Sequence, residues 1–345
     1  MIFAIILLVL LAFSVLGNFS SLVSSLFSSR GKHMRASGPR LEEVITEDND
    51  ASDKIAVVEI DGIITSRTAD PGGHNMVDLI KAQLKRAEED KQVKAVILKV
   101  DSPGGEVLAS DDIYHAIADF QKTARKPVVA SMGNLAASGG YYVSAPCQWI
   151  VANDLTITGS IGVILHAWNY RGLMDKVGLR PETYKSGKFK DMLSGERNPE
   201  EIPAEERAMV QSLIDETYDK FKSRVASGRG GAHDKNKKYP PADQGRKLVD
   251  DWEQYADGRV LSGTEAYKLG FVDQTGNFDD AVDRAKTIAG ISSANLVEFQ
   301  QRFDISDFFR IFGQSEGKVV KLDWGVEAPK LQAGQLYFLS PVFAH

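Results

Sequence analysis

Two side chains in this sequence have the chemistry of a hydrolase active site. Ser138 stands before two glycines in the run ASGGYY, and Lys190 lies further along in the run YKSGKFKD. A serine hydroxyl becomes a nucleophile when a base takes its proton. A lysine amine can be that base if burial lowers its pKa from about 10.4 towards neutrality. The pair indicates a serine hydrolase with a lysine as general base, in which no histidine is required.

The lysine run offers three candidates for this base. Lys185, Lys188 and Lys190 lie close together in the sequence, and each of them could instead be a solvated surface residue. Their spacing from Ser138 does not rank them, so the identity of the base stays open on these residues alone.

Two glycine-rich turns are candidates for an oxyanion hole, the site that holds the negative charge of the reacting carbonyl oxygen. Gly105 ends the run DSPGG, which follows an apolar run, and Gly139 directly follows Ser138. The proline fixes the first turn, and glycines let backbone amides face a ligand without obstruction by side chains. Taken alone, DSPGG is also compatible with an ordinary turn between a strand and a helix.

A third turn, TITGSIG, contains Ser160. Its hydroxyl could accept a hydrogen bond from the lysine amine and orient it, as the third member of a catalytic triad orients the base. The alternative is that the hydroxyls of this run only cap a helix or close a turn.

Predicted strands alternate with predicted helices along the chain, which indicates an α/β fold built from βαβ units. Continuous apolar runs predict the strands, and apolar residues at helical spacing predict the helices. The predicted strands are 54–60, 93–100, 127–131 and 149–152, and the predicted helices are 77–91, 111–122, one from Ser138, 204–226 and 279–289. Residues 228–247 are predicted to form a basic, solvated loop.

The composition limits the possible classes of function. With 43% hydrophobic residues and a net charge of −6, the chain can bury a large core and offers no general positive surface for nucleic acid. Cys147 is the only cysteine, so an internal disulfide is excluded and a buried apolar role is expected. Since the chain has no CxxC or HExxH spacing, we expect neither a metal nor another cofactor.

The N-terminus is strongly apolar, and no charged side chain occurs before Arg30. About 17 to 25 apolar residues can span a bilayer as a helix, so we predict a membrane anchor at 1–27 and a polar linker at 28–53. A cleaved secretory signal is the alternative, although a cationic start and a clean cleavage site are missing. The basic residues from Arg30 to Arg40 would place the body in the cytoplasm by the positive-inside rule.

From about Ile55 to Ala289 the chain resembles the signal peptide peptidase A family, the S49 serine peptidases, in the short form with one peptidase domain. The resemblance rests on ordered motifs: DSPGG, ASGGYY, TGSIG, KSGKFKD, YDKF and GRVLSG. It implies a Clp/crotonase-like fold, an α/β spiral of βαβ units, for a peptidase domain at 54–290. Residues 291–345 match less well and are expected to form a C-terminal extension.

The same resemblance implies roles for the candidate residues. Ser138 corresponds to the nucleophile, Lys190 to the base, and Ser160 to the group that orients the lysine. The amides of Gly105 and Gly139 correspond to the oxyanion hole. On this basis Lys190 is preferred over the other two lysines.

The family also implies a biological setting. Its members are membrane-anchored serine endopeptidases that degrade remnant signal peptides and similar apolar peptides. They form homo-oligomeric rings, and in the short form the serine and lysine of one site are expected to come from neighbouring subunits. The expected location is the bacterial cell membrane, single-pass, with the catalytic domain on the extracytoplasmic side, which conflicts with the charges that follow the anchor.

Two other functions fit part of the pattern. A crotonase-like acyl-CoA hydratase or isomerase would hold a thioester enolate with paired backbone amides, but it has no need of Ser138 together with Lys190. A catalytically inactive membrane scaffold would keep only the fold, but the serine, the lysine and both glycine turns are present.

The C-terminal run LYFLSPVFA, residues 336–344, is apolar and finishes in a small residue, as a signal-peptide remnant does. We therefore hypothesise that this tail occupies the substrate groove and is trimmed by the enzyme. A strand or a subunit-interface segment is the alternative.

Overall fold

The computed structural model describes residues 38–67, 74–301 and 336–339. The described residues from Leu41 onward belong to one compact unit. The predicted anchor at 1–27 lies outside the described residues, as does most of the predicted extension. Among the helices of the described ranges, none is both long enough and apolar enough to cross a membrane.

Within these ranges the chain forms a main sheet of nine strands and a small sheet of three. The strands are β1 (Leu41–Glu47), β2 (Lys54–Asp61), β3 (Val93–Ser102), β4 (Gly104–Glu106), β5 (Val128–Ala137), β6 (Trp149–Ala152), β7 (Ile157–Gly159), β8 (Ile164–Leu165), β9 (Val260–Ser262), β10 (Gln274–Thr275), β11 (Asn295–Gln301) and β12 (Leu336–Leu339). The main sheet has the order β1-β11-β2-β3-β5-β6-β10, with β7 beside β5 and β9 beside β7. The small sheet has the order β4-β12-β8.

The helices connect and cover these strands. They are α1 (Met76–Glu89), α2 (Val107–Thr123), α3 (Gly139–Ser144), α4 (Arg171–Val177), α5 (Ala204–Asn236), α6 (Gly263–Leu269) and α7 (Phe278–Ala289), with 3₁₀ turns at Pro199–Glu201, Pro241–Asp243 and Trp252–Tyr255. Several begin at a capping side chain. Asn75 accepts from the Asp78 amide at the start of α1, and capping boxes begin α6 and α7.

The central strands are buried on both faces. Their alternate residues point to opposite sides of the sheet, and each side packs into its own apolar cluster. In β2, Val58 and Ile60 belong to the cluster that includes α1 and α2, whereas Ile55 and Val57 belong to the cluster that includes α7. The strands from β11 to β10 along the main sheet pair in parallel. Parallel strands covered on both faces have continuous apolar sequences, which is why β2 and β3 are recognisable from sequence.

The parallel strands bring the three turns of interest to one edge of the sheet. The DSPGG run begins in the last two residues of β3 and continues into β4, and Ser138 directly follows the end of β5. Strand β7 pairs in parallel with the last residues of β5, so that Ala137 lies opposite Gly159. The carboxyl ends of parallel strands are the usual location of active sites in α/β proteins.

Three of the described strands, β1, β11 and β12, lie outside the predicted peptidase domain at 54–290. Strand β1 falls in the predicted linker and β11 in the predicted extension, and the two pair with each other in antiparallel orientation. The linker prediction is therefore wrong for Leu41–Glu47. Most side chains of this edge strand are exposed, so its sequence shows no continuous apolar run. Its strand conformation depends on β11, which is distant in sequence.

Helix α5 continues to its end at Asn236, so the predicted loop is wrong for residues 228–236. Gly228 resembles a helix breaker, but here its missing side chain allows close packing. An added Cβ would lie 2.5 Å from the Ala145 carbonyl oxygen. In the next position Arg229 is buried and pairs with Asp273. This packing overrides the low helix propensity of glycine.

Candidate active site

Ser138 lies in a sharp turn between β5 and α3, with backbone angles φ 54° and ψ −115°. A left-handed φ is strained for a residue with a Cβ, and such strain is concentrated at functional sites. The turn is held by hydrogen bonds from the Ser138 amide to the Gly159 carbonyl and from the Tyr142 amide to the Ser138 carbonyl, both 2.8 Å. The Ser138 Oγ is buried and has no hydrogen-bond partner in the described structure. Buried polar atoms without partners are rare and mark this hydroxyl as a candidate functional group.

The DSPGG turn packs directly against the turn of Ser138. A Cβ added to Gly104 would lie 2.6 Å from the Gly139 nitrogen, and one added to Gly139 would lie 3.0 Å from the Gly105 nitrogen. Gly104 also has φ +102°, which a residue with a side chain adopts only with strain. The two backbones therefore touch because glycine occupies both turns, and the Gly105 and Gly139 amides lie in one place beside the serine.

Ser160 directly follows β7, the strand that pairs with the end of β5. It is buried, has φ 50°, and its amide donates to the Arg259 carbonyl at 2.7 Å. The preceding residue, Gly159, accepts the hydrogen bond from the Ser138 amide. The structure thus brings Ser160 into the same group of turns as Ser138, Gly105 and Gly139.

Lys190 lies in a different kind of environment. It belongs to residues 178–198, named here the lysine loop, none of which is part of a helix or strand. Its backbone closes a turn with Gly187 (3.4 Å), while its side chain is exposed. Within the part of the chain that the structure describes, the Lys190 ammonium makes no ion pair or hydrogen bond. Because the Ser138 Oγ has no partner, the structure does not join this serine and this lysine.

The other two candidate lysines of the loop are both engaged. Lys185 Nζ lies 2.7 Å from a carboxylate oxygen of Asp191, and Lys188 Nζ lies 2.5 Å from one of Glu205. Both amines are therefore occupied by carboxylates of the same chain. Among the three, Lys190 is the lysine that remains available.

A series of alternating charges anchors the lysine loop to α5, and we call it the ion-pair chain. It runs from Lys185 to Asp191 (2.7 Å), from Asp191 to Arg197 (3.6 Å) and from Arg197 to Glu206 (2.7 Å). The hydrogen bond from Lys185, with the nearby Arg197 charge, lowers the pKa of Asp191 below its usual range. Glu206 is almost fully buried, with 3% of its side chain exposed. The sequence analysis missed Arg197 and Glu206, and the only signal was two charged residues beside a helix start.

The surface around the lysine loop is unusually apolar. Trp168 is 79% exposed, Leu173 63% and Tyr184 91%. A cavity of about 300 Å³ opens nearby, with Trp168, Leu193 and Val210 among its lining residues. Large exposed apolar patches of this kind mark protein–protein or membrane contacts.

Glu106 is a third residue of the site region that was not identified from the sequence. It follows DSPGG directly, is 4% exposed, and accepts hydrogen bonds from the Thr65 hydroxyl (2.9 Å), the Ser66 hydroxyl (2.6 Å) and the Ser66 amide (3.0 Å). Burial opposes its ionisation, but these hydrogen bonds, with Arg67 nearby, outweigh burial and lower the pKa of Glu106. The carboxylate therefore ties the segment of residues 64–67 to β4. A single charge inside the run GGEVL was the available signal.

Strand β12 from the C-terminal tail lies beside the DSPGG turn. It pairs in antiparallel orientation with β4, so that Phe338 lies opposite Gly105, and also with β8. Phe338 is fully buried. Its ring stacks on Tyr142 with centroids 4.8 Å apart and lies 4.6 Å from the Phe221 ring. The described part of the tail thus occupies an aromatic groove that ends at the glycine turns.

Tyr142, which forms part of this groove, is fixed by polar contacts behind its ring. Its hydroxyl donates to Asp111 at 2.6 Å, and Arg224 donates to the same carboxylate at 3.2 Å. Burial, with the hydrogen bond to Asp111, raises the pKa of Tyr142 above its usual value. The tyrosine is therefore a neutral donor with a fixed ring.

Cys147 is buried, as predicted, and burial raises the pKa of its thiol to about 12. Such a thiol is neutral near pH 7 and behaves as a small apolar side chain. In the ranges that the structure describes, no group of three or more His, Cys, Asp or Glu residues is arranged to hold a metal ion.

The sequence is similar to those of known proteases. The sequence model of peptidase family S49 matches residues 120–292, and that of Clp protease matches residues 58–147. A Synechocystis protein described as a protease is 40% identical over 240 residues, which cover 69% of this chain and 75% of that protein. An Enterococcus faecium protein described as signal peptide peptidase SppA is 36% identical, covering 75% of this chain and 71% of that protein. Protease 4 of Haemophilus influenzae is 33% identical, covering 74% and 37%.

The matched regions include the candidate site. The S49 range contains Ser138, Ser160 and Lys190, and the Clp protease range contains Gly105 and Ser138. The Clp match agrees with the parallel α/β sheet and with turns at the carboxyl ends of its strands.

Proposed function

Because the chain belongs to peptidase family S49 and is a serine-type peptidase, we propose that it is an endopeptidase with a dyad of Ser138 and Lys190. One observation carries the choice of nucleophile: the Ser138 Oγ is buried and unpartnered in a strained turn beside two glycine backbones. A crotonase-like enzyme or an inactive scaffold would not need such a serine.

The proposed reaction is acyl transfer in two steps. Neutral Lys190 takes the proton of Ser138, and the Oγ attacks the peptide carbonyl carbon. The Gly105 and Gly139 amides stabilise the oxyanion. The C–N bond then breaks as the protonated lysine gives its proton to the leaving amine. Water, deprotonated by the same lysine, hydrolyses the acyl-enzyme. In this scheme Ser160 orients the amine.

We propose that the lysine reaches the serine from a neighbouring subunit of a homo-oligomeric ring. Two observations support this. The Ser138 Oγ has no hydrogen-bond partner among the described residues, and the exposed Lys190 lies on a loop surrounded by exposed apolar side chains such as Trp168 and Leu173. An apolar surface of this kind would be covered on assembly. Burial at such a contact would also lower the pKa of a lysine amine, as a general base requires.

The proposed substrates are apolar peptides such as signal-peptide remnants, bound as an added strand. The position of β12 supports this, since it pairs with β4 beside Gly105 and inserts Phe338 between Tyr142 and Phe221. Strand addition supplies backbone hydrogen bonds, and pockets for alternate side chains supply specificity. The tail itself would then be a substrate in this groove, open to trimming at Ser138.

We further propose that residues 1–27 anchor the enzyme in the bacterial cell membrane as a single span, with the catalytic body on the extracytoplasmic side. The apolar run without charge before Arg30 supports the anchor. A topology reporter fused after His345 tests this arrangement, because activity of a cytoplasmic reporter would contradict it.

The dyad is tested with a fluorophosphonate probe and a chromogenic apolar peptide. We expect wild type to be labelled and active, Ser138→Ala to be unlabelled, and both Ser138→Ala and Lys190→Ala to lose more than about a thousandfold in kcat/KM. Lys188→Ala is the matched control, since it removes a neighbouring lysine that is paired with Glu205, and it should keep most of the activity. Labelling that survives Ser138→Ala would exclude this serine as the nucleophile.

A further inference from the structure

We infer that Arg197, through its ion pair with buried Glu206, is a positioning residue for Lys190. This inference rests on the proposed role of Lys190 as general base. The lysine loop has no helix or strand, and the backbone at Lys190 is held by a turn whose hydrogen bond to the Gly187 carbonyl is long, 3.4 Å. Catalytic groups on loops depend on contacts with rigid elements for their geometry. The relevant contacts are those that begin at Asp191, the residue next to the base.

The ion-pair chain links the backbone beside Lys190 to the longest helix in the described structure. Asp191 lies 3.6 Å from Arg197 Nη1 and also holds Lys185. The same Nη1 lies 2.7 Å from Glu206 in the first turn of α5. Displacement of Arg197 would therefore free the loop on one side of the base.

Arg197 makes three contacts that a different side chain could not make together. Besides Asp191 and Glu206, its Nη2 donates to the Glu201 carbonyl at 3.2 Å, in the 3₁₀ turn before α5. The guanidinium is planar and presents several donors in a rigid fork, whereas a lysine ammonium is a single flexible point. The arginine thus joins the loop, the 3₁₀ turn and the helix at one position.

The burial of Glu206 makes this contact a fixed one. Only 3% of its side chain and 17% of that of Arg197 are exposed. Removing one partner of a buried pair leaves the other charge unpaired, so the arrangement is not easily replaced by water. Glu205, the preceding residue, forms an exposed ion pair with Lys188, in which the two side chains are 59% and 64% exposed. Exposed pairs of this kind contribute little.

The first experiment measures kcat and KM for Arg197→Gln and Glu206→Gln, normalised to the number of reactive serines. The end point of fluorophosphonate labelling counts folded sites, so a loss of folded protein is separated from a loss of rate. We expect kcat per labelled serine to fall roughly 10- to 100-fold with KM little changed, because displacement of a catalytic group by about 1 Å costs this much. Arg197→Lys should recover only part of the rate. Glu205→Gln, the matched control in the same helical turn, should stay within about twofold of wild type.

The second experiment asks which half of the site contains the defect. Arg197→Gln subunits are co-assembled with Ser138→Ala subunits or with Lys190→Ala subunits. Activity should return with Ser138→Ala, which supplies an intact lysine loop to the intact serine of the Arg197→Gln chain. It should not return with Lys190→Ala, which offers no working lysine.

Several outcomes would overturn the inference while the proposed function stands. The first is an unchanged kcat per labelled serine in Arg197→Gln. The second is activity of Arg197→Gln that returns with Lys190→Ala subunits instead of Ser138→Ala subunits. The third is activity of Arg197→Gln that returns with neither, although Ser138→Ala and Lys190→Ala subunits restore each other. If co-assembled Ser138→Ala and Lys190→Ala subunits also stay inactive, the proposal of a site shared between subunits is wrong. The role of Arg197 is then decided by kcat per labelled serine alone. Wild type that is not labelled at Ser138 would overturn the proposed function itself.

Discussion

The two regions that contain the proposed dyad are built in opposite ways. The serine region, consisting of Ser138 with the turns at 102–106 and 159–160, is buried, lies at the ends of parallel strands and is packed backbone to backbone. The lysine loop is exposed, has no helix or strand, and is held by ion pairs. The serine region is enclosed by other described segments of the same chain. The lysine loop instead exposes the Lys190 side chain and apolar side chains such as Tyr184.

This difference teaches how a protease of this kind could be kept inactive until it assembles. Ser138 lies in a strained turn, whereas Lys190 is exposed, and the two side chains do not hydrogen-bond to each other in the described structure. Under the proposed function, assembly would both deliver the amine and remove its water.

The sharpest test of the comparison is to add a methyl group to a glycine in each region. Gly104→Ala places a Cβ 2.6 Å from the Gly139 nitrogen at a backbone φ of +102°. We expect the free energy of unfolding to fall by about 3 kcal/mol and kcat/KM by more than about a hundredfold, as measured by urea unfolding and peptide hydrolysis.

Gly187→Ala is the matched change in the lysine loop. Gly187 has a similar φ of +97°, but an added Cβ meets nothing within 4 Å. Only the backbone strain of about 1–2 kcal/mol remains, and the loop can absorb part of it. Equal losses of stability in the two variants would show that close packing does not distinguish the regions.

A smaller effect is expected from the buried carboxylate behind the DSPGG turn. Glu106→Gln should lower the free energy of unfolding by about 1–3 kcal/mol at neutral pH, because three donors lose part of their acceptor. The folded pKa of Glu106 lies below its usual value of 4.5, so its ionisation stabilises the fold above that value. This stabilisation is lost as the pH falls through the folded pKa.

The difference between wild type and Glu106→Gln should therefore shrink when urea unfolding is repeated at about pH 4 and below. Glu59→Gln serves as the control, since Glu59 is 48% exposed and pairs with exposed Lys99, and we expect a change under about 0.5 kcal/mol. A pH-independent difference for Glu106→Gln would mean that its charge is not what matters.

The smallest expected change concerns the groove of the serine region, which its own chain fills with β12. If the tail is a substrate, intact-mass measurement should find C-terminal residues missing from wild type but present in Ser138→Ala and Lys190→Ala. Identical masses in all three proteins would leave β12 as a structural strand.

The sequence predicted the centre of the fold better than its edges. The strands 54–60 and 93–100 correspond to β2 and β3, because strands buried on both faces are continuously apolar. Strand β1 was missed because an edge strand needs few apolar residues. The end of α5, residues 227–236, was missed because Gly228 is a breaker in isolation and a packing residue against Ala145 in the fold.

Of the site, the sequence supplied the residues in the turns, and their catalytic roles remain predictions. Glycine pairs and a serine before them are local features, and the parallel sheet brings them together at one edge. Glu106 and Arg197 were not recognisable, because a charged residue in a sequence does not show whether its partners bury it.

The sequence by itself therefore determined the family, the apolar strands and the candidates for the reactive groups, all of which depend on local residue type and order. Tertiary structure decided which of three lysines has no ion pair among the described residues, that Ser138 and Lys190 are not hydrogen-bonded to each other there, and that β12 pairs beside the glycine turns. The physical reason is that ion pairs, close backbone contacts and burial arise between segments far apart in the chain, and these contacts set the chemistry of otherwise identical side chains.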